Sequence, residues 1–128
     1  AVGAWVGTAF LAAREAGHGA AARRRLLAAG EADTAYDRVF DVALALGWPA
    51  EFGGRTLRND YLDRWRGRLA ELAGDQEASA ELVRAMRVDD FDVACLYAGQ
   101  GVGLLDRERP AAEVLADLGR AEDLLRRF

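Results

Sequence analysis

Apolar and polar positions follow a helical period along most of this chain and an extended one only at its start. The opening run of Val2, Ala4, Trp5 and Val6 is short and apolar, ends at Gly7-Thr8, and turns into a helical pattern carried by Phe10, Leu11 and Arg14. That is the pattern of a buried strand running into a helix. Residues 19–29 form a second helix with a narrow stripe of Ala22, Leu26 and Leu27, closed by Gly30. Phe40, Val42, Leu44 and Leu46 alternate like a strand, while Val39, Ala43 and Leu46 also suit a helix; the spacing favours an extended segment over 37–42. Gly47-Trp48-Pro49 and Gly53-Gly54 bracket a loop. A helix then starts at Asn59 or Asp60, carries Tyr61, Leu62, Trp65, Leu69 and Leu72 on one face, is weakened by Gly67, and ends at Gly74. Asp75 opens the next helix, striped by Ala78, Leu82, Val83 and Met86, and the two form a hairpin. The last helix has Pro110 at its first position and Glu113 in its first turn. Its apolar face runs through Ala111, Val114, Leu115, Leu118, Ala121, Leu125 and Phe128, with Glu122–Arg126 and Asp123–Arg127 as i,i+4 pairs.

The chemistry this pattern allows is concentrated at the first turn. A strand that delivers Gly-Thr to the mouth of a helix can hold a phosphate: Gly7 lets the backbone come close, and the helix N-terminus offers unpaired N–H groups. Thr8 either caps the helix or gives its hydroxyl to a phosphate oxygen. Gly99, Gly101 and Gly103 resemble a nucleotide loop, but no charged residue follows at a dinucleotide or Walker spacing, so tight packing or a bend is the favoured role. His18, the only histidine, lies between Gly17 and Gly19 with no second His or Cys to complete a metal site. Cys95 sits in an apolar run as an inert thiol. Arg23, Arg24 and Arg25 point in different directions on their helix and read as a solvated face. The residues alone assign no catalytic group and no metal site.

Composition narrows the classes further. The 128 residues carry a formal charge of −4 with 52% hydrophobic and 30% charged residues, an ordinary globular balance that recommends neither nucleic acid nor a membrane as partner. There is no apolar run long enough for a membrane span, and a single cysteine fits a reducing, cytoplasmic compartment. All 17 basic residues are Arg, and Lys and Ile are absent, which is the signature of a GC-rich bacterial genome rather than of phosphate recognition. The chain begins with Ala, and its opening strand has no earlier element to pair with; the expectation is a back part of something longer.

Three stretches, WVGTAFLAARE, TLRNDYLDRWRGRLAEL and YAGQGVGLLDRERPAAEVLADL, in this order and spacing, resemble the C-terminal part of the nitronate monooxygenases, formerly 2-nitropropane dioxygenases. The shared features are Gly7-Thr8 with Phe10-Leu11, then Ala98-Gly99 with Gly103-Leu104, then Pro110-Ala111 before a closing helix. The resemblance implies an α/β fold, the C-terminal portion of an FMN-binding (β/α)8 TIM barrel plus a helical extension, mostly helical as an isolated segment. Within 1–128, residues 1–30 would be the last strand, phosphate loop and following helices, and 31–128 the helical C-terminal extension.

On this resemblance the cofactor is FMN, and its phosphate is held by Trp5, Val6, Gly7 and Thr8, the first two through their backbones. The activity implied is oxidation of alkyl nitronates with O2, the flavin taking an electron from the nitronate and passing it to oxygen. The family's catalytic histidine belongs to the barrel before Ala1, and His18 does not match it. The upstream part of the same barrel is therefore an expected partner, with the small nitronate and O2. Two other readings remain: a flavin-dependent enoyl reductase of the same barrel fold, and a non-catalytic helical interaction module. Whether Gln100 and its neighbouring glycines touch flavin is left open by the residues.

Overall fold

Two antiparallel strands, β1 (Thr34–Asp37) and β2 (Gly54–Leu57), hold the middle of the molecule, with Thr34 opposite Leu57 and Asp37 opposite Gly54. Residues 96–98 extend this sheet: the Leu57 N–H donates to Leu96 O at 2.9 Å and the Ala98 N–H to Arg55 O at 3.1 Å. The computed structural model describes residues 6–121, 123 and 126. The helices are α1 (Thr8–Leu11), α2 (Ala20–Ala28), α3 (Val39–Ala43), α4 (Asp60–Trp65), α5 (Leu69–Gly74), α6 (Gln76–Arg87) and α7 (Ala111–Gly119). The described part is thus about half helical with one small sheet. The sheet lies inside the 31–128 stretch that was expected to be helical. The opening strand falls almost wholly on residues outside those described; its last member, Val6, has no strand pairing.

The extended segment expected over 37–42 is a helix from Val39 onward. Asp37 Oδ1 accepts from the N–H groups of Arg38 at 2.7 Å and Val39 at 3.2 Å, turning the chain out of β1 and into α3. Val39, Phe40 and Ala43 then face one core, which a strand could not achieve with that spacing. Asn59 caps α4 as its position implies, accepting from the Leu62 N–H at 2.9 Å. The long helix expected from there to Gly74 is two: Gly67 adopts φ +78°, outside helical geometry, and the chain restarts as α5. Asp75 caps α6 through the Ala78 N–H at 2.9 Å. The buried face of α6 is Ala78, Leu82 and Ala85, so Val83 and Met86 turn outward instead.

The larger core joins Phe40, Tyr61, Leu62, Trp65, Leu72 and Leu82. Phe40 and Tyr61 stack with ring centroids 5.9 Å apart, and the Tyr61 hydroxyl donates to Ala78 O at 2.9 Å. Burial pushes that phenol up to about 12. A second core under α2 joins Ala22, Leu26, Leu57, Leu96, Ala98 and Val102. At the far end Pro110 is the N-cap of α7 rather than its first residue, and Val114 is the buried contact of that helix. Leu115 and Leu118, assigned to its inner face, are exposed. Leu125, Phe128 and the partners Glu122 and Arg127 lie outside the described residues. No described helix is long and apolar enough to cross a membrane.

Candidate functional site

The turn at Gly7 and Thr8 is built from short-range and very long-range contacts together. Gly7 occupies the N-cap of the one-turn α1, and its carbonyl accepts from the Phe10 N–H at 2.9 Å. Thr8 is the first helical residue and does not cap. Its Oγ1 instead accepts from the Gly99 N–H at 2.9 Å, joining two turns 91 residues apart. This contact leaves the hydroxyl proton of Thr8 free to be donated. Among the described residues a β-carbon placed on Gly7 would meet nothing within 4 Å. Val6 beside it is exposed, and Trp5, the remaining residue assigned to this turn, lies outside the described residues.

Two further contacts pin the segment after α1. The Arg14 N–H donates to Arg109 O at 3.2 Å, beside a parallel bridge between Ala13 and Arg109. Glu15 reaches the start of α7, where its carboxylate accepts from the Ala111 N–H at 2.8 Å. This hydrogen bond holds the Glu15 carboxyl below the usual carboxylate range. The N-terminal turn is therefore clamped from the C-terminal side by Gly99, Arg109 and Ala111.

The glycines at 99, 101 and 103 have separate roles. Residues Gln100–Leu104 form a 3-10 turn whose Val102 is fully buried. A β-carbon on Gly103 would lie 2.8 Å from Glu31 N and 3.3 Å from Gly30 C, so tight backbone packing requires glycine there. On Gly99 it would lie 3.2 Å from Thr8 Oγ1, whereas Gly101 faces open space. Gln100 is exposed next to this clamp.

His18 and Cys95 line one groove of about 450 Å³ with Leu11, Met86, Phe91 and Tyr97. The His18 carbonyl accepts from Arg23, which also pairs with Glu108 at 2.9 Å, so Arg23 is a tether rather than a solvated charge. Burial pushes the Cys95 thiol up, which disfavours a reactive thiolate. Among the described residues no group of three or more His, Cys, Asp or Glu side chains is placed to hold a metal ion.

Sequence reasoning missed the acceptor role of Thr8 and the reach of Glu15, because both partners lie more than ninety residues away and no local pattern marks them. It also missed Asp41, a buried carboxylate under Tyr97, which read as one more helical surface charge.

The model of the family described as nitronate monooxygenase matches residues 1–120. No curated protein matches the chain. Among solved structures, FabK from Thermotoga maritima superposes with a TM-score of 0.68 at 20% identity, covering 94% of this chain and 37% of that one. A point mutant of the same protein superposes with a TM-score of 0.63 at 19% identity, covering 94% and 34%. The chain therefore spans little more than a third of those structures, and at this identity the likeness is one of fold.

Proposed function

The chain belongs to the nitronate monooxygenase family, a family of flavin-dependent TIM-barrel oxidoreductases, and we propose that it supplies the phosphate anchor of an FMN-dependent nitronate monooxygenase. The observation that carries this reading is the turn at Gly7-Thr8. Among the described residues a β-carbon on Gly7 would meet nothing within 4 Å, and the Thr8 hydroxyl, already accepting from Gly99, has its proton left to donate. The Phe10 N–H is taken by Gly7 O, and the N–H groups of Thr8 and Ala9, at the open end of the helix, are the donors proposed for a phosphate. Trp5, Val6, Gly7 and Thr8 would hold that group, the first two through their backbones. Bound FMN supplies the electron transfer between nitronate and oxygen.

The chain's own part in the reaction is positional. The Gly99, Arg109 and Ala111 contacts fix the turn that would hold the phosphate, and a fixed turn would keep a bound flavin in one position. Val88, Leu104 and Leu115 are large apolar side chains left exposed, Leu104 at 85%. Such exposure supports packing of this chain against the rest of a barrel. The substrate is a small alkyl nitronate, O2 is the oxidant, and the protein works in the cytoplasm.

The test is steady-state oxygen consumption with propyl-2-nitronate by the protein expressed from its complete reading frame, alongside its flavin absorbance. The reading predicts a yellow protein that consumes oxygen with nitronate. Reduction of an enoyl thioester without nitronate oxidation would instead assign it to the flavin-dependent enoyl reductases. A colourless protein with neither activity would contradict both.

A further inference from the structure

A second cleft, apart from the anchor turn, is lined by Asp41, Leu46, Trp48, Phe52, Gly53, Gly54 and Tyr97 and encloses about 500 Å³. Its walls are aromatic and unusually bare: Trp48 is 60% exposed, Phe52 54% and Tyr97 42%. Asp41, an acidic residue only 7% exposed, completes the lining. Among the described residues the one hydrogen-bond partner of that carboxylate is the Tyr97 hydroxyl, at 3.3 Å. No ion pair among the described residues reaches it. Arg38, one turn back, points its guanidinium to Trp48 O at 3.5 Å and leaves its own Nε buried without a partner.

A buried carboxylate is ordinarily paired with a cation or well supplied with donors. Among the described residues one long neutral hydrogen bond is all that compensates it, and Asp41 lines the cleft. Aromatic faces around such a charge attract a cation through their quadrupoles. The wall loop is held in place by two left-handed residues, Ala45 at φ +50° and Gly47 at φ +68°, which set Leu46 and Trp48 on the cleft. Gly54 is needed as well, because a β-carbon there would lie 2.5 Å from Tyr97 Cε1 and push that ring out of position.

We propose that this cleft binds a small organic ammonium ion, with Asp41 as counter-ion and Trp48, Phe52 and Tyr97 as the aromatic cage. The charge it recognises is opposite to that of a nitronate or a phosphate, so the site is separate from the flavin anchor and does not depend on it.

The experiment is isothermal titration of the protein from its complete reading frame with benzyltrimethylammonium chloride, with benzyl alcohol and sodium benzoate as neutral and anionic counterparts. Saturable binding of the ammonium ion is expected, with benzyl alcohol at least about tenfold weaker and benzoate not bound. Asp41→Asn, which keeps the acceptor for Tyr97, should weaken ammonium binding about tenfold or more without changing benzyl alcohol binding. Trp48→Ala, at an exposed position where folding is not at stake, should weaken it about three- to thirtyfold. Tyr97→Phe removes the carboxylate's neutral partner and should leave ammonium binding at least as tight as in the wild type. Absence of ammonium binding to the wild type, equal affinity for benzyl alcohol, or unchanged affinity in Trp48→Ala would overturn the proposal.

Discussion

Thr8 Oγ1 accepts a hydrogen bond from the Gly99 N–H at 2.9 Å, and through it the turns at Gly7 and at Gly99 behave as one unit. Thr8→Ala would leave the half-buried Gly99 N–H without its acceptor, a loss of about 1–3 kcal/mol. Thr8→Ser keeps the hydroxyl and should melt within a few degrees of the wild type. Equal melting temperatures for Thr8→Ala and Thr8→Ser would show that the contact contributes nothing.

Gly103 is a packing residue. Gly103→Ala drives a β-carbon into the backbone at Gly30 and Glu31 and should destabilise the fold by about 1–3 kcal/mol. Gly101→Ala, where nothing lies within 4 Å, should be silent by comparison. Chemical denaturation of the two variants checks the contrast; a larger loss at Gly101 would contradict the close approach.

These two glycines also show what the sequence could reveal. Glycine spacing argued against a nucleotide loop and for packing, and Gly103 agrees, but nothing local separates it from Gly101; the difference is the neighbouring backbone at Glu31. The helix starts at Asn59 and Asp75 were legible because each side chain caps its own helix. The sheet was not legible: Thr34–Asp37 lacks an apolar alternation of its own and becomes a strand by pairing with Gly54–Leu57 across a long loop. The helix at Val39–Ala43 was hidden because five residues fit both periods, and the deciding contact is the Asp37 side chain. Gly67 was seen as a weak point, yet its left-handed φ ends the helix outright. At the N-terminal turn, Gly7 and Thr8 stand out as a pair, whereas the clamps at Gly99, Arg109 and Ala111 are tertiary and leave no trace in spacing.

Asn59 does more than cap. Its Oδ1 accepts from Leu62 while its Nδ2 donates to Ala94 O at 2.9 Å and Phe91 O at 3.3 Å. Asn59→Asp preserves the cap but replaces a donor with a charge facing two carbonyls, and should cost about 2–4 kcal/mol. A denaturation midpoint unchanged from the wild type would mean that the cap alone matters.

Stability of the α7 junction should depend on pH through Glu15. Its folded-state pKa is depressed, first by the Ala111 N–H, so the contribution is present above the unfolded carboxylate pKa of 4.5 and fades as pH falls through the lower folded value. Hydrogen exchange at the Ala111 amide should accelerate relative to its neighbours as the solution is acidified below that range. Glu15→Gln should show weaker protection at neutral pH and no such acid step. An identical acid profile in Glu15→Gln would place the dependence elsewhere.

The central claim, that Gly7 and Thr8 anchor the flavin phosphate, is tested most directly by the FMN dissociation constant of Gly7→Val. Among the described residues a β-carbon at Gly7 meets nothing within 4 Å, and its φ of −115° suits any residue, so the apo-variant's melting temperature, measured alongside, is expected to stay close to the wild type. Any loss of flavin then reports on the space the phosphate occupies. The account predicts that Gly7→Val loses most of its FMN affinity, that Thr8→Ala loses about 1.5–3 kcal/mol, roughly ten- to a hundredfold, and that His18→Ala binds FMN like the wild type. Wild-type FMN affinity in a folded Gly7→Val protein would contradict it.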